Sequence, residues 1–120
     1  MQTLYVHAFL VVRGKRRRLT EPLYFIGRDR RECEFSFDDP DLSKIHAALV
    51  RGDGTYILLD YKSISGVFLN GTSARRVVLK SGDVIGVGNQ ELQFLLVPVQ
   101  TQKLRRNIRR SARDLPPSLR

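Results

Sequence analysis

The chain has 120 residues, 42% of them apolar and 28% charged, enough for one domain around a single hydrophobic core. Its one cysteine, Cys33, excludes an intramolecular disulfide and a thiolate cluster for a metal, and suits a reducing compartment. The net charge of +9 is unevenly placed: residues 1 to 100 hold 14 basic and 11 acidic side chains, a balance of +3, whereas residues 101 to 120 hold 7 and 1, a balance of +6.

Short runs rich in Val, Ile, Leu, Tyr and Phe predict strands at Thr3 to Val12, Leu23 to Ile26, Glu34 to Phe37, His46 to Val50 and Tyr56 to Asp60. Four more follow at Val67 to Leu69, Arg76 to Leu79, Val84 to Val87 and Glu91 to Val97. The first run lacks a basic segment before it and a cleavage site after it, so it reads as a strand and not a signal peptide. No window approaches the roughly 18 to 20 apolar residues of a membrane span, and a cytoplasmic protein is expected. Turn chemistry separates the runs: Arg51-Gly52-Asp53-Gly54, Asn70-Gly71 and Gly88-Asn89 suit tight hairpins, and Ser81-Gly82-Asp83 closes another connection. Many short strands at about ten-residue spacing, with no helical pattern among them, predict an all-β sandwich or barrel over residues 1 to 99.

Residues 100 to 120 differ in character. Leu104, Ile108, Ala112 and Leu115 fall near one face at helical spacing while arginines fill the other, a basic amphipathic pattern. A helix of ~15 residues is marginal alone in water, so it would order against a partner or against the sandwich. Such a tail suits an acidic protein, nucleic acid or an anionic membrane surface; its plain alternative is a solvated extension that aids solubility.

Taken together, "FIGR", "SKIHAAL", "YILLDYKSISGVFLNG" and "LKSGDVIGVG" resemble the forkhead-associated (FHA) family, a module that binds phosphothreonine peptides. Each motif alone is weak, but their order, spacing and placement at strand ends make the joint match specific, from about Leu4 to Val97. The resemblance implies an FHA-like β-sandwich (SMAD/FHA) of roughly eleven strands in two twisted, mainly antiparallel sheets. Ile26, Ala47, Leu49, Ile57, Leu59, Phe68, Ile85 and Phe94 are the expected core, with the ligand loops gathered at one end.

A phosphate group carries about −1.5 to −2 charges and three acceptor oxygens, so its site wants a guanidinium fork, hydroxyl donors and free backbone N–H groups. Arg28, Ser43 and Lys44 meet those needs, and FHA domains are a known instance of phosphopeptide capture by such clusters. In the bare sequence Arg28 also reads as part of a solvated cluster with Asp29 and Glu32, and Ser43 as a turn residue. The resemblance makes His46 a brace beneath the loop. Gly27 and Gly66 are expected to serve close backbone approach or positive φ, and Asn70 to serve its turn, as structural support.

The sequence departs from the family where an asparagine that bonds the peptide backbone is replaced by Ser65, and a hydroxyl before it by Ile64. Weaker binding, or reliance on residues flanking the threonine, is the implication. Cys33 with His46 lies in no nucleophile motif, and Asp38, Asp39 and Asp41 lack the spaced ligands of a calcium loop. No catalytic residue, metal or cofactor is expected. The leading expectation is a non-catalytic module that binds a threonine-phosphorylated protein through Arg28, Ser43, Lys44 and Ser65. Two alternatives stay open: a degenerate scaffold holding an unphosphorylated partner, and a nucleic-acid or ribosome-associated protein using the basic loop Arg13 to Arg18 and the tail.

Overall fold

Eleven strands form two sheets in the computed structural model, which describes residues 4–100 and their side chains from 6 to 99. The tail pattern of residues 101 to 120 therefore lies outside the described residues, as does any test of the 1 to 99 and 100 to 120 division. The strands are β1 (Leu4–Val12), β2 (Lys15–Leu19), β3 (Leu23–Gly27), β4 (Phe35–Ser36), β5 (Ala47–Arg51), β6 (Tyr56–Asp60), β7 (Val67–Leu69), β8 (Thr72–Ser73), β9 (Arg76–Val78), β10 (Val84–Val87) and β11 (Gln90–Gln100). One sheet has the order β2-β1-β11-β10-β7-β8 and the other β4-β3-β5-β6-β9. Every pair is antiparallel except β3 with β4. Among the described residues no helix is long and apolar enough to cross a membrane.

Leu10, Leu92, Phe94 and Ile85 from the first sheet meet Ile26, Leu49 and Leu58 from the second, all fully buried or nearly so. Ala47 joins them as expected. Ile57, Leu59 and Phe68 do not: the first two are half-buried and Phe68 is 40% exposed. The reason is the period of two along a strand, which "YILL" satisfies in either phase. Tyr56 and Leu58 take the inner face, and the Tyr56 hydroxyl stays satisfied by donating to the Glu21 carbonyl at 2.7 Å. In β7 the inward position is Val67. Phe68 instead lies outside, over the bare backbone of Gly86 on the neighbouring strand.

Strands β2 and β8 were not expected. Arg13 and Gly14 both have positive φ, 51° and 77°, which is the backbone of a two-residue hairpin turn and sets Val12 opposite Lys15. The segment "RGKRRR" is thus a turn and an edge strand, not a basic loop. Its exposed Lys15, Arg16, Arg17 and Arg18 keep that open sheet edge from pairing with other chains. Asn70 and Gly71, at 50° and 84°, make the same kind of turn into β8.

The pairing fixes where the loops go. The end of β1, the starts of β2, β7 and β11 and the end of β10 lie at one end of the first sheet. The ends of β3, β4 and β6 and the start of β5 lie at one end of the second. Hydrogen bonds from Asn89 to the Asp39 carboxylate and from the His46 ring to Gly66 join these two ends, so the loops 28–34, 37–46, 61–66 and 88–89 converge.

Candidate functional site

The loop leaving β3 and the one entering β5 are bound along their backbones. His46 N donates to Ile26 O at 2.8 Å, Arg28 N to Ser43 O at 3.0 Å and Asp29 N to Lys44 O at 3.1 Å. This closeness is what Gly27 permits. A Cβ there would overlap the Lys44 carbonyl oxygen and come within 3.0 Å of Cys33 Sγ. The Cys33 thiol donates to that same Lys44 oxygen at 3.2 Å. Burial, with the carboxylates of Asp29 and Glu34 nearby, pushes the thiol up to about 11, so it stays protonated at neutral pH.

His46 is completely buried beneath the loops. Its Nδ1 accepts the Ser43 N–H at 3.1 Å; since an amide can only donate, Nε2 carries the ring proton and donates to Gly66 O at 2.7 Å. One side chain therefore fixes the loop carrying Ser43 against the loop carrying Ser65. Gly66 turns at φ +88°, with its N–H donating to Ser63 Oγ at 3.0 Å, and Ser63 N donates to Asp60 Oδ1 at 2.9 Å. Cys33 and His46 are each engaged elsewhere and make no thiol–imidazole pair.

Above this scaffold, Ser43 Oγ accepts the Ile64 N–H at 3.1 Å, which leaves the hydroxyl proton to donate outward. Arg28 and Lys44 are exposed beside it. Ser65 Oγ donates to Asp41 O at 2.9 Å, so its proton is used within the protein and the hydroxyl keeps only acceptor capacity. Arg28, Ser43, Lys44, Ile64 and Ser65 line one recess of about 340 Å³. The structure thus brings Arg28, Ser43, Lys44 and Ser65 together, with Gly27, His46 and Gly66 under them. Asn70 is elsewhere, at the far end of β7, where its side chain donates to Asp83 Oδ1 at 3.0 Å and accepts Val84 N at 2.8 Å. It braces a turn and not the loops.

Sequence reasoning missed the anchor of the 37–46 loop. Asp39 is buried and accepts from Asn89 N (2.8 Å), Asn89 Nδ2 (3.1 Å), Gln90 Nε2 (3.1 Å) and Asp41 N (2.9 Å). Asn89 and Gln90 lie 50 and 51 positions away, and a motif scan has no signal for that. The acidic run "DDPD" is therefore a clamp, with Asp41 Oδ2 also taking Asn89 Nδ2 at 2.8 Å. Among the described residues no group of His, Cys, Asp and Glu is placed to hold a metal ion. The donors from Asn89, Gln90 and Asp41 hold the Asp39 carboxyl down at about 2 from an ordinary 3.8. A carboxylate depressed on folding stabilises the protein above its unfolded value and loses that contribution as pH falls through the folded one. Between pH 4 and pH 2 the melting temperature of the natural chain should fall more steeply than that of Asp39→Asn; parallel curves would show that the clamp is not titrating.

A family model described as "FHA domain" matches residues 24–88, more than half of the chain. The "Oxoglutarate dehydrogenase inhibitor" of Corynebacterium diphtheriae is 33% identical over 85 residues, which is 71% of this chain and 59% of that protein; the likeness thus spans less than two thirds of that relative. A solved structure described as "Structural and functional analysis of phosphothreonine-dependent FHA domain interactions" superposes with a TM-score of 0.71 at 25% identity, covering 78% of this chain and 99% of that one. Mycobacterium tuberculosis EmbR in complex with a low affinity phosphopeptide gives 0.69 at 27% identity, over 74% of this chain and 24% of that one.

Proposed function

We propose a function from one premise: this chain belongs to the forkhead-associated (FHA) family. The protein binds a threonine-phosphorylated partner through the recess and acts by binding, without catalysis. One observation carries the reading. The Arg28 backbone is tied to that of Ser43, and the Ser43 hydroxyl is oriented by Ile64 with its proton still free, so a guanidinium and a hydroxyl donor share one recess. Arg28 makes the forked contact to phosphate, Ser43 adds a hydroxyl donor, Lys44 adds a point charge and Ser65 meets the peptide backbone. The relatives support this, since one solved structure concerns phosphothreonine-dependent interactions and another carries a phosphopeptide. The description of the Corynebacterium relative as an inhibitor of an enzyme accords with action by protein binding.

Screening a degenerate phosphothreonine peptide library against its unphosphorylated twin tests the reading. Retention of the phosphorylated pool alone is expected; equal retention overturns it. The second reading, an unphosphorylated partner, is favoured by Ile64, which stands 95% exposed at the rim where the family has a hydroxyl. Ser65→Asn provides a further test. A longer amide can reach both Asp41 O and the ligand, so phosphopeptide affinity should rise about three- to tenfold, the value of one neutral hydrogen bond. Weaker binding in that variant would show a loop shaped for another ligand.

A further inference from the structure

The phosphate recess does not end at Arg28. That residue also lines a second recess of about 470 Å³, with Arg30, Ser36, Phe37 and Asp38. Ser36 and Phe37 in turn line a third, of about 370 Å³, which carries Arg13, Lys15 and Arg17. Neighbouring recesses share wall residues, Arg28 in one case and Ser36 with Phe37 in the other, so the three lie in succession along the surface as a channel-like series. It runs from the loops onto the open side of the sandwich, where β4 and β2 are the edge strands of their two sheets.

Six cations line this channel: Arg13, Lys15, Arg17, Arg28, Arg30 and Lys44. Three acids, Glu34, Asp38 and Asp41, oppose them. Two of the acids are turned to the protein: Glu34 Oε1 accepts Phe25 N at 2.8 Å, and Asp41 Oδ2 accepts Asn89 Nδ2. The arginines at the far end are held in place. Arg13 lies 5.5 Å over the Phe37 ring, and Arg17 lies 4.6 Å over the Phe35 ring while donating to Glu34 O at 2.9 Å. Guanidinium groups ordered in advance lose less freedom when they meet an anion.

The geometry points to this channel as the track for an acidic segment of the same partner polypeptide that presents the phosphothreonine, with Arg13, Lys15 and Arg17 receiving Asp or Glu side chains. The inference rests on the phosphothreonine reading and adds a partner class to it. A polypeptide fits better than a nucleic acid. The Phe35 and Phe37 rings already carry arginines on their faces, which denies bases a stacking platform.

The test measures binding of the full chain to a short phosphothreonine peptide and to versions extended on either side by about ten residues, roughly 33 Å of strand. The extensions carry Glu, or Gln at the same positions. On one side the Glu peptide should bind about tenfold tighter than its Gln twin, from three exposed ion pairs together. That gain should vanish in a Lys15→Gln, Arg17→Gln double variant that binds the short peptide as the natural chain does. Lys15→Glu alone, at an exposed position, should also lower it if the double variant folds poorly. Equal binding of Glu and Gln peptides on both sides overturns the inference. So does a gain indifferent to these substitutions, or competition by single-stranded DNA as effective as by the Glu peptide. Should short peptides bind without regard to phosphate while the Lys15-sensitive Glu gain persists, only the phosphothreonine reading falls. Binding of neither kind of peptide overturns both.

Discussion

Arg28→Ala should all but abolish binding of a phosphothreonine peptide. A guanidinium on phosphate makes two parallel charge-assisted bonds, each contributing about 1.5 to 3 kcal/mol, so their loss should exceed about 3 kcal/mol, a hundredfold or more in Kd. Arg28→Lys keeps the charge without the fork and should fall between the two. Both variants should fold normally, because the side chain is exposed and the bonds that place the residue, Arg28 N to Ser43 O and Asp29 N to Lys44 O, belong to the backbone. Titration calorimetry with one phosphopeptide decides the matter; unchanged affinity in Arg28→Ala would mean that the recess is not the phosphate site.

His46→Ala should have the largest effect on the fold itself. The imidazole is wholly buried and pairs two backbone groups, Ser43 N–H and Gly66 C=O. Removing it leaves both without a partner, at about 1 to 3 kcal/mol each, and opens a cavity besides. A loss of about 3 to 5 kcal/mol in unfolding free energy is expected, a large part of the 5 to 15 kcal/mol that holds a typical domain. Phosphopeptide affinity should also fall, although His46 lies beneath the recess, because Ser43 and the 61–66 loop lose their common brace. A denaturant midpoint close to that of the natural chain would show that the brace is dispensable.

Strand runs bounded by Gly, Asn and Asp were legible wherever one side chain per pair was apolar, which covers nine of the strands in some form. Strand β2 was hidden because four of its five residues are charged and exposed, so an edge strand reads like a solvated run; the one usable sign was the Arg13-Gly14 turn. Strand β8, two exposed residues long, offers no pattern at all. In β6 the strand was legible but its phase was not, since four consecutive apolar residues allow either face inward. Around the recess, Arg28, Ser43 and His46 could be picked out because their spacing follows a family motif. The hydrogen bond that the Ser65 hydroxyl donates to the Asp41 carbonyl, and the Asp39 clamp on Asn89, depend on which loops the fold brings together, and composition carries no trace of that.

The order of strands in the first sheet bears on how the protein is made. All residues lining the recess lie before Gly66, and the hydrogen bonds among them span at most 24 positions, from Ser65 to Asp41. The second sheet is complete once Val78 has left the ribosome. The first cannot close then, because β11 sits in the middle of it, between β1 and β10, and until it arrives β1 and β2 are a hairpin with nothing beside them. The Asp39 clamp waits as well, across a separation of 50 positions to Asn89. Closing such a distant contact comes late in folding, since chain entropy opposes it until the strands around it pair. A nascent chain that has Arg28 and Ser43 but not yet Asn89 therefore lacks the anchor that shapes the loop between them, and its first sheet stays open until β11 takes its central place.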